Sequence, residues 1–137
     1  MSALDYQSVM PDGWGRARGF SWGVVANGSR ILRIAGQVGG ERGDVPVQAG
    51  LDFGGQWEQA LGNLVAILRA AGGDPEHVVM LRAFVTDLDA FNADVAAVGA
   101  AWGLHLGKNF PAMTLVEVSR LLDPNAMVEI EGEAVLP

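Results

Sequence analysis

Four glutamates stand in two apolar runs near the end of the chain. Glu117 lies in the stretch 112–121, and Glu129, Glu131 and Glu133 lie in 126–135. A carboxylate surrounded by apolar groups resists ionisation, so it can hold or pass a proton at neutral pH in general acid–base chemistry. The same group beside an arginine forms only an ion pair, and Arg33 and Arg82 stand in apolar runs of their own. Both roles are open to Glu129; Glu117, Glu131 and Glu133 are assigned to ion pairs or solvent. The chain has no cysteine, which excludes thiolate catalysis and disulfides. His77 and His105 show no ligand spacing and no surrounding carboxylates, so no metal site is expected. The Gly36 to Gly43 stretch has no Lys-Ser/Thr pair and no helix directly after it, which makes it a turn rather than a phosphate cradle. The remaining cations of interest are His105 and Lys108 in Leu104 to Phe110, and Arg16 and Arg18 near the start.

These groups must be positioned by a single domain, since 137 residues are too few for two comfortable ones. Half the residues are apolar and the mean hydropathy is +0.23, enough to bury a core. No apolar run reaches the roughly 18 residues of a membrane span. The first residues lack the basic head and apolar centre of a signal peptide, so a cytoplasmic location without membrane contact is expected. Nine basic side chains against sixteen acidic ones give a net charge of −7, with a single lysine. Phosphate backbones are bound through many cations, so no nucleic-acid partner is expected; a small molecule or protein suits the charge better.

The hydrophobic period divides the chain into short elements. Residues 1–19 read as an irregular arm. Phe20 to Ala26 and Arg30 to Ala35 read as two strands of a hairpin turned at Asn27-Gly28-Ser29, because Asn and Gly accept positive φ. Trp57, Leu61, Leu64, Val65 and Leu68 share one face of a helix over 53–71, with Asp52 as N-cap and Gly72-Gly73 as the stop. That stripe is core, not a cofactor site. His77 to Thr86 alternates as a third strand, and 87–102 is a second helix with Phe91, Val95, Val98 and Trp102 on one stripe. Two strands over 112–121 and 126–135 close the chain. The order β-β-α-β-α-β-β predicts an α+β domain with both helices on one face of a sheet. The other face is expected to carry Phe84, Met113, Leu115 and Met127 among charges of both signs, a mixture that suits an interface between copies of the chain.

Several segments together resemble the RidA/YjgF family. They are Ile34-Ala35-Gly36-Gln37; Gln56 with Ala60-Leu61-Gly62-Asn63-Leu64 and Ala71-Gly72; Phe84-Val85-Thr86-Asp87; Pro111-Ala112 with Val116-Glu117-Val118; and Val128-Glu129-Ile130-Glu131. They run in order from about residue 20 to the end. The resemblance implies a chorismate-mutase-like fold, a homotrimer with clefts between subunits, and hydrolysis of reactive enamines and imines without metal or organic cofactor.

The family's deaminases carry an arginine after Pro-Ala to grip the substrate carboxylate; here Met113 follows Pro111-Ala112. Leu115 stands where the family often has cysteine, Ser21 near its tyrosine, Ala35 at its serine and Val95 near its helix asparagine. Glu129 retains the family's water-positioning glutamate. The resemblance thus implies a site with Glu129 as acid–base group and Ser21, Gly36, Gln37, Met113 and Leu115 around the substrate; the apolar Met113 and Leu115 point to a less acidic ligand, with Trp22 and Phe110 as further lining residues. Two readings follow. One is a hydrolytic deaminase whose substrate lacks the usual small α-carboxylate. The other is a non-catalytic trimer that binds a metabolite or partner protein at the same clefts.

Overall fold

The computed structural model describes residues 5–137. Among these residues the strands are β1 (Asp5–Val9), β2 (Gly23–Asn27), β3 (Arg30–Val38), β4 (Val78–Val85), β5 (Ala112–Glu117) and β6 (Val128–Leu136). The helices are α1 (Phe53–Ala70), α2 (Leu88–Ala93) and α3 (Val95–His105), with a 3-10 turn at Pro75–His77 leading into β4. The central sheet runs β3-β6-β4-β5, antiparallel except for the parallel pair β4–β5. This is a mixed α+β sheet, as expected, with helices packed on one face.

Helix α1 forms where its apolar stripe predicts it. Asp52 accepts the Gly55 N–H at 2.8 Å, and Gly72 at φ +86° ends the helix. Trp57, Leu61, Leu64 and Leu68 are buried against Leu81, Val128, Ile130 and Ala134 of the sheet. Burying a side chain of this size contributes about 1.5–3 kcal/mol. Motif residues of α1 serve the fold as well. Gln56 donates to the Leu51 and Asn125 carbonyls and accepts the Met127 N–H at 2.7 Å. Asn63 donates to the Val38 and Gly40 carbonyls, pinning the start of the glycine-rich loop.

The structure corrects several sequence expectations. The arm is not irregular throughout: residues 5–9 form β1. That strand pairs antiparallel with β2, so β2 and β3 are not a hairpin. The chain does turn at Asn27-Gly28-Ser29, but Ser29 N–H bonds to the Leu136 carbonyl, and a Cβ on Gly28 would strike that carbonyl. β2 instead crosses the end of the sheet, from Ser21 beside Pro111 and Ala112 to Gly28 beside Leu136. The second predicted helix is two, because Asp94 departs from helical geometry (φ −121°, ψ 26°) while its carboxylate accepts the Gly54 N–H at 2.9 Å. β5 ends at Glu117 rather than at residue 121.

A further correction concerns sides. In the parallel pair, Leu81 lies beside Met113 and Ala83 beside Leu115. Leu81 and Ala83 are buried in the core, and side chains of laterally paired residues share a face. Met113 and Leu115 therefore face the helices and pack against the core, and Met127 also packs there. The helix-free face carries Met80, Arg82, Phe84, Glu129, Glu131, Glu133 and Arg33, with Thr114 and Val116 from β5.

Candidate functional site

The side chains of Met113 and Leu115 form the floor of a pocket of about 590 Å³ between β5 and the helices. That volume falls in the roughly 300–1,000 Å³ range of small-molecule sites. Trp57 of α1, Phe91 of α2, and Val95, Val98 and Trp102 of α3 supply one wall. Arg18, Gly19, Phe20 and Phe110 supply the other. The continuous Phe91–Val95–Val98–Trp102 stripe survives the break at Asp94, so both short helices present it to the same space. Trp102 and Phe110 stack at 6.1 Å with planes 7° apart, and the Trp102 Nε1–H donates to the Asn109 carbonyl at 2.9 Å. Trp57 is 1% exposed, and its indole N–H has no acceptor among the described residues. A buried donor without an acceptor costs about 1–3 kcal/mol, so a ligand oxygen reaching it would gain a bond that the protein does not make itself.

A second hollow of about 800 Å³ adjoins the first and shares Arg18, Gly19, Phe20 and Phe110 with it. Its floor comes from the β1–β2 hairpin. Ser21 is held tightly there: its hydroxyl donates to the Phe110 carbonyl at 2.6 Å, accepts from the Ser8 hydroxyl at 2.8 Å, and its N–H bonds the Pro111 carbonyl. Trp22 donates to the Gly15 carbonyl and meets Trp14 and Phe20 edge-on at 5.1 Å. Behind this hollow Tyr6 donates to Asn109 Oδ1 at 2.9 Å, and Asn109 donates to the Pro75 and Val78 carbonyls. Burial raises the Tyr6 hydroxyl above its ordinary pKa, and a bond with Ser21 pulls the other way.

The predicted site residues fall into two groups. Met113, Leu115 and Phe110 line the apolar pocket, and Ser21 and Trp22 line the adjoining hollow, with Phe110 shared. Gly36, Gln37 and Glu129 lie elsewhere. Glu129 pairs across the ladder with Phe84 and Val38, on the helix-free face. A Cβ on Gly36 would collide with the Glu129 carboxylate, so glycine is what lets that carboxylate lie over β3. Gln37 is buried and donates to the Ala35 and Gly36 carbonyls, while its Oε1 has no partner among the described residues.

Neither predicted surrogate cation enters either pocket. His105 packs on Gly62 of α1, and Lys108 is exposed outside the linings. Arg18, given less weight than those two from the sequence, does line the pocket. Trp57, Phe91, Val98 and Trp102 were legible only as core-facing stripes; the signal for a site was that two aromatic stripes converge on one strand.

The expectation that no carboxylates surround the histidines is corrected for His77, which has Asp74 and Glu76 within 4.8 Å. The chemistry is nonetheless a poor fit to a metal. His77 Nδ1 accepts the Asp74 N–H at 3.0 Å, which places the ring proton on Nε2 and leaves neither nitrogen a free lone pair. Asp74 is held by Arg69 at 3.1 Å. The cluster caps the turn before β4.

The comparisons with known proteins agree with the fold. Residues 16–136 match the family model described as Endoribonuclease L-PSP. A RutC family protein of Synechocystis is 36% identical over 119 residues, 86% of this chain and 78% of its own. The 2-iminobutanoate/2-iminopropanoate deaminase of Escherichia coli K12 is 38% identical over 98 residues, 72% of each chain. This chain belongs to the RidA/YjgF/L-PSP family. Among solved structures, a Rid-family protein of unknown function from Yersinia pestis superposes with a TM-score of 0.82 at 32% identity, covering 96% of this chain and 99% of that one. No helix among the described residues is long and apolar enough to cross a membrane.

Proposed function

We propose that this RidA-family protein binds a small, largely apolar metabolite in the pocket above Met113 and Leu115, and lacks the activity named for its iminopropanoate-deaminating relatives. The supporting observation is the lining. Met113, which the motif resemblance aligns with the carboxylate-gripping arginine of the family's deaminases, lines the pocket together with indoles and branched side chains. A small α-imino acid seated there would lose the hydration of its carboxylate with no cation in the inner wall, at a cost of several kcal/mol. Arg18 stands at the rim, where a solvated contact returns about 1 kcal/mol or less. Copies of the chain associate through the helix-free face, where Ile31 is 68% exposed and Val116 40% exposed beside Phe84 and the Arg82 ion pairs. A trimer built on that face is the form in which we expect the protein to work.

A second reading is favoured by Glu129. Its carboxylate has no ion-pair or hydrogen-bond partner among the described residues, and Gly36 is shaped to admit it. In that reading the protein hydrolyses an imine or enamine that lacks a small α-carboxylate, with Glu129 reaching the pocket of a neighbouring copy to position water.

One experiment separates the two. Imines are generated in situ by an amino-acid oxidase, for 2-iminopropanoate, and by an amine oxidase, for imines without a carboxylate, and their decay is followed with and without protein. We expect background decay of 2-iminopropanoate, together with a rise in melting temperature on adding indole as an apolar probe. Accelerated 2-iminopropanoate decay that Glu129→Gln abolishes would overturn the main reading. Acceleration confined to the uncharged imines, and lost in the same variant, would establish the second.

A further inference from the structure

The two adjoining hollows differ in chemistry, and the difference points to the shape of the ligand. The inner one is walled by aromatic and branched side chains. The outer one is half polar in character and holds both Arg16 and Arg18. In a chain with sixteen acidic residues, neither lining contains a single Asp or Glu. Arg33, Arg42, Arg69 and Arg82 are in ion pairs; Arg16 and Arg18, like Arg30, Arg120 and Lys108, have no carboxylate within 4.0 Å among the described residues, and of these five only Arg16 and Arg18 line the hollows. An acidic protein has thus kept two uncompensated cations beside an apolar pocket.

The arm that carries them is fastened rather than loose. The Trp22 Nε1–H bonds the Gly15 carbonyl at 3.0 Å, and Trp22 packs edge-on to Trp14 and Phe20, bracketing residues 15 to 20 on both sides. Gly19 adopts φ +79°, a bend that L side chains disfavour, and Arg18 and Phe20 on either side of it both line the junction of the two hollows.

We propose that the ligand is an elongated amphiphilic anion. Its apolar body fills the inner pocket, and its carboxylate or other singly charged head lies in the outer hollow against Arg16 and Arg18. The inference rests on the apolar-pocket reading above and adds the charge and its distance from the buried end. It also explains why the pocket can do without an arginine at position 113. A charge at the far end of the ligand lies against the exposed Arg16 and Arg18 rather than among the indoles, so the apolar wall never has to hold it.

The test compares phenylbutyrate with its neutral amide, phenylbutyramide, on the full chain. Binding is read by quenching of the tryptophans, two of which, Trp57 and Trp102, stand in the inner wall. The acid should bind roughly tenfold more tightly than the amide, the scale of two partly screened charge contacts. That preference should fall with added salt and vanish in the double variant Arg16→Gln/Arg18→Gln. Arg120→Gln, which makes the same change in charge outside both linings, should keep it. Equal binding of acid and amide would overturn the inference and leave the apolar pocket standing. So would a preference that survives the double variant, or one that Arg120→Gln reduces as much. If neither probe binds, the pocket reading fails, and the inference fails with it.

Discussion

The two faces of the central sheet have opposite chemistry, although their residues alternate along the same strands. On the helix side, β4, β5 and β6 contribute Leu81, Ala83, Met113, Leu115 and Ile130; Glu117 ends β5 on the same face and is taken up by the Leu88 N–H, and Arg18 is the charged residue that lines the pocket. On the helix-free side the same strands place Arg82 within 3.4 Å of Glu131 and 3.5 Å of Glu133, with Arg33 at 3.8 Å from Glu133. The pocket lining therefore holds no Asp, Glu or His, whereas Glu129 lies on the open face, outside both hollows. Within one chain the pocket and the Glu129 carboxylate are separated by the thickness of the sheet. Any chemistry must bring a second copy's open face, or a reactive ligand, to the first copy's pocket.

The largest expected effect comes from disturbing the packed side. Trp57→Ala removes a buried indole that contacts Phe53 and Phe91 as well as the pocket. Urea unfolding should show a loss of about 3–5 kcal/mol, with binding of the apolar probe abolished. Glu129→Gln, across the sheet, should change stability by about 0.5 kcal/mol or less. Comparable losses in the two variants would mean that the faces are energetically alike and that Glu129 has a structural partner.

Much of this arrangement was legible in the sequence, and the part that was not has a definite cause. The apolar period of α1, the Asp52 cap and the Gly72 stop are local features, and they appear where expected. Alternation in β5 correctly separates Met113 and Leu115 from Thr114 and Val116. It does not say which set faces the helices, because that depends on the register against β4, a contact some thirty residues away in the chain. A one-residue slip in that register would exchange the faces. The β1–β2 pairing was hidden for a related reason. Asn27-Gly28-Ser29 announces a turn but not the partner of the strand before it, and β1 lies in an arm of mixed polarity whose only strong signal is Tyr6. The site residues followed the same divide. Motifs from the resemblance located the pocket floor at Met113 and Leu115 and the Gly36–Glu129 contact, but nothing in them states that the two lie on opposite faces.

A smaller effect would sharpen the view of the pocket's outer wall. Tyr6 is the chain's single tyrosine, so its ionisation can be followed directly by phenolate absorbance. Burial raises its pKa in the folded state, so the folded protein holds the phenolic proton at pH values where the unfolded chain releases it. The resulting stability is fully present below about pH 10, the unfolded value, and is lost as pH rises from there through the folded pKa. Tyr6→Phe should cost about 1 kcal/mol at neutral pH through the lost bond to Asn109 and should flatten this alkaline decline. A phenolate titrating at its ordinary value would mean that the β1–β2 hairpin does not seal that side of the pocket.

The smallest effect in a dilute single chain belongs to the Arg82–Glu131 pair, and it tests the open face most directly. Both side chains are over a third exposed, at 38% and 39%. A double-mutant cycle with Arg82→Gln and Glu131→Gln should therefore give a coupling of about 0.2–1 kcal/mol that weakens in added salt. If copies of the chain meet on this face, the second copy displaces the water that screens the pair. The attraction between the charges then rises as the effective dielectric falls, and removing one partner strands the other in a dry interface. The coupling should consequently grow, and its salt dependence shrink, over the protein concentrations at which sedimentation shows the chain associating. A coupling that stays small and salt-sensitive in the fully associated protein would place the interface elsewhere, and Glu129, two residues from Glu131 on the same face, would have no route to a neighbour's pocket.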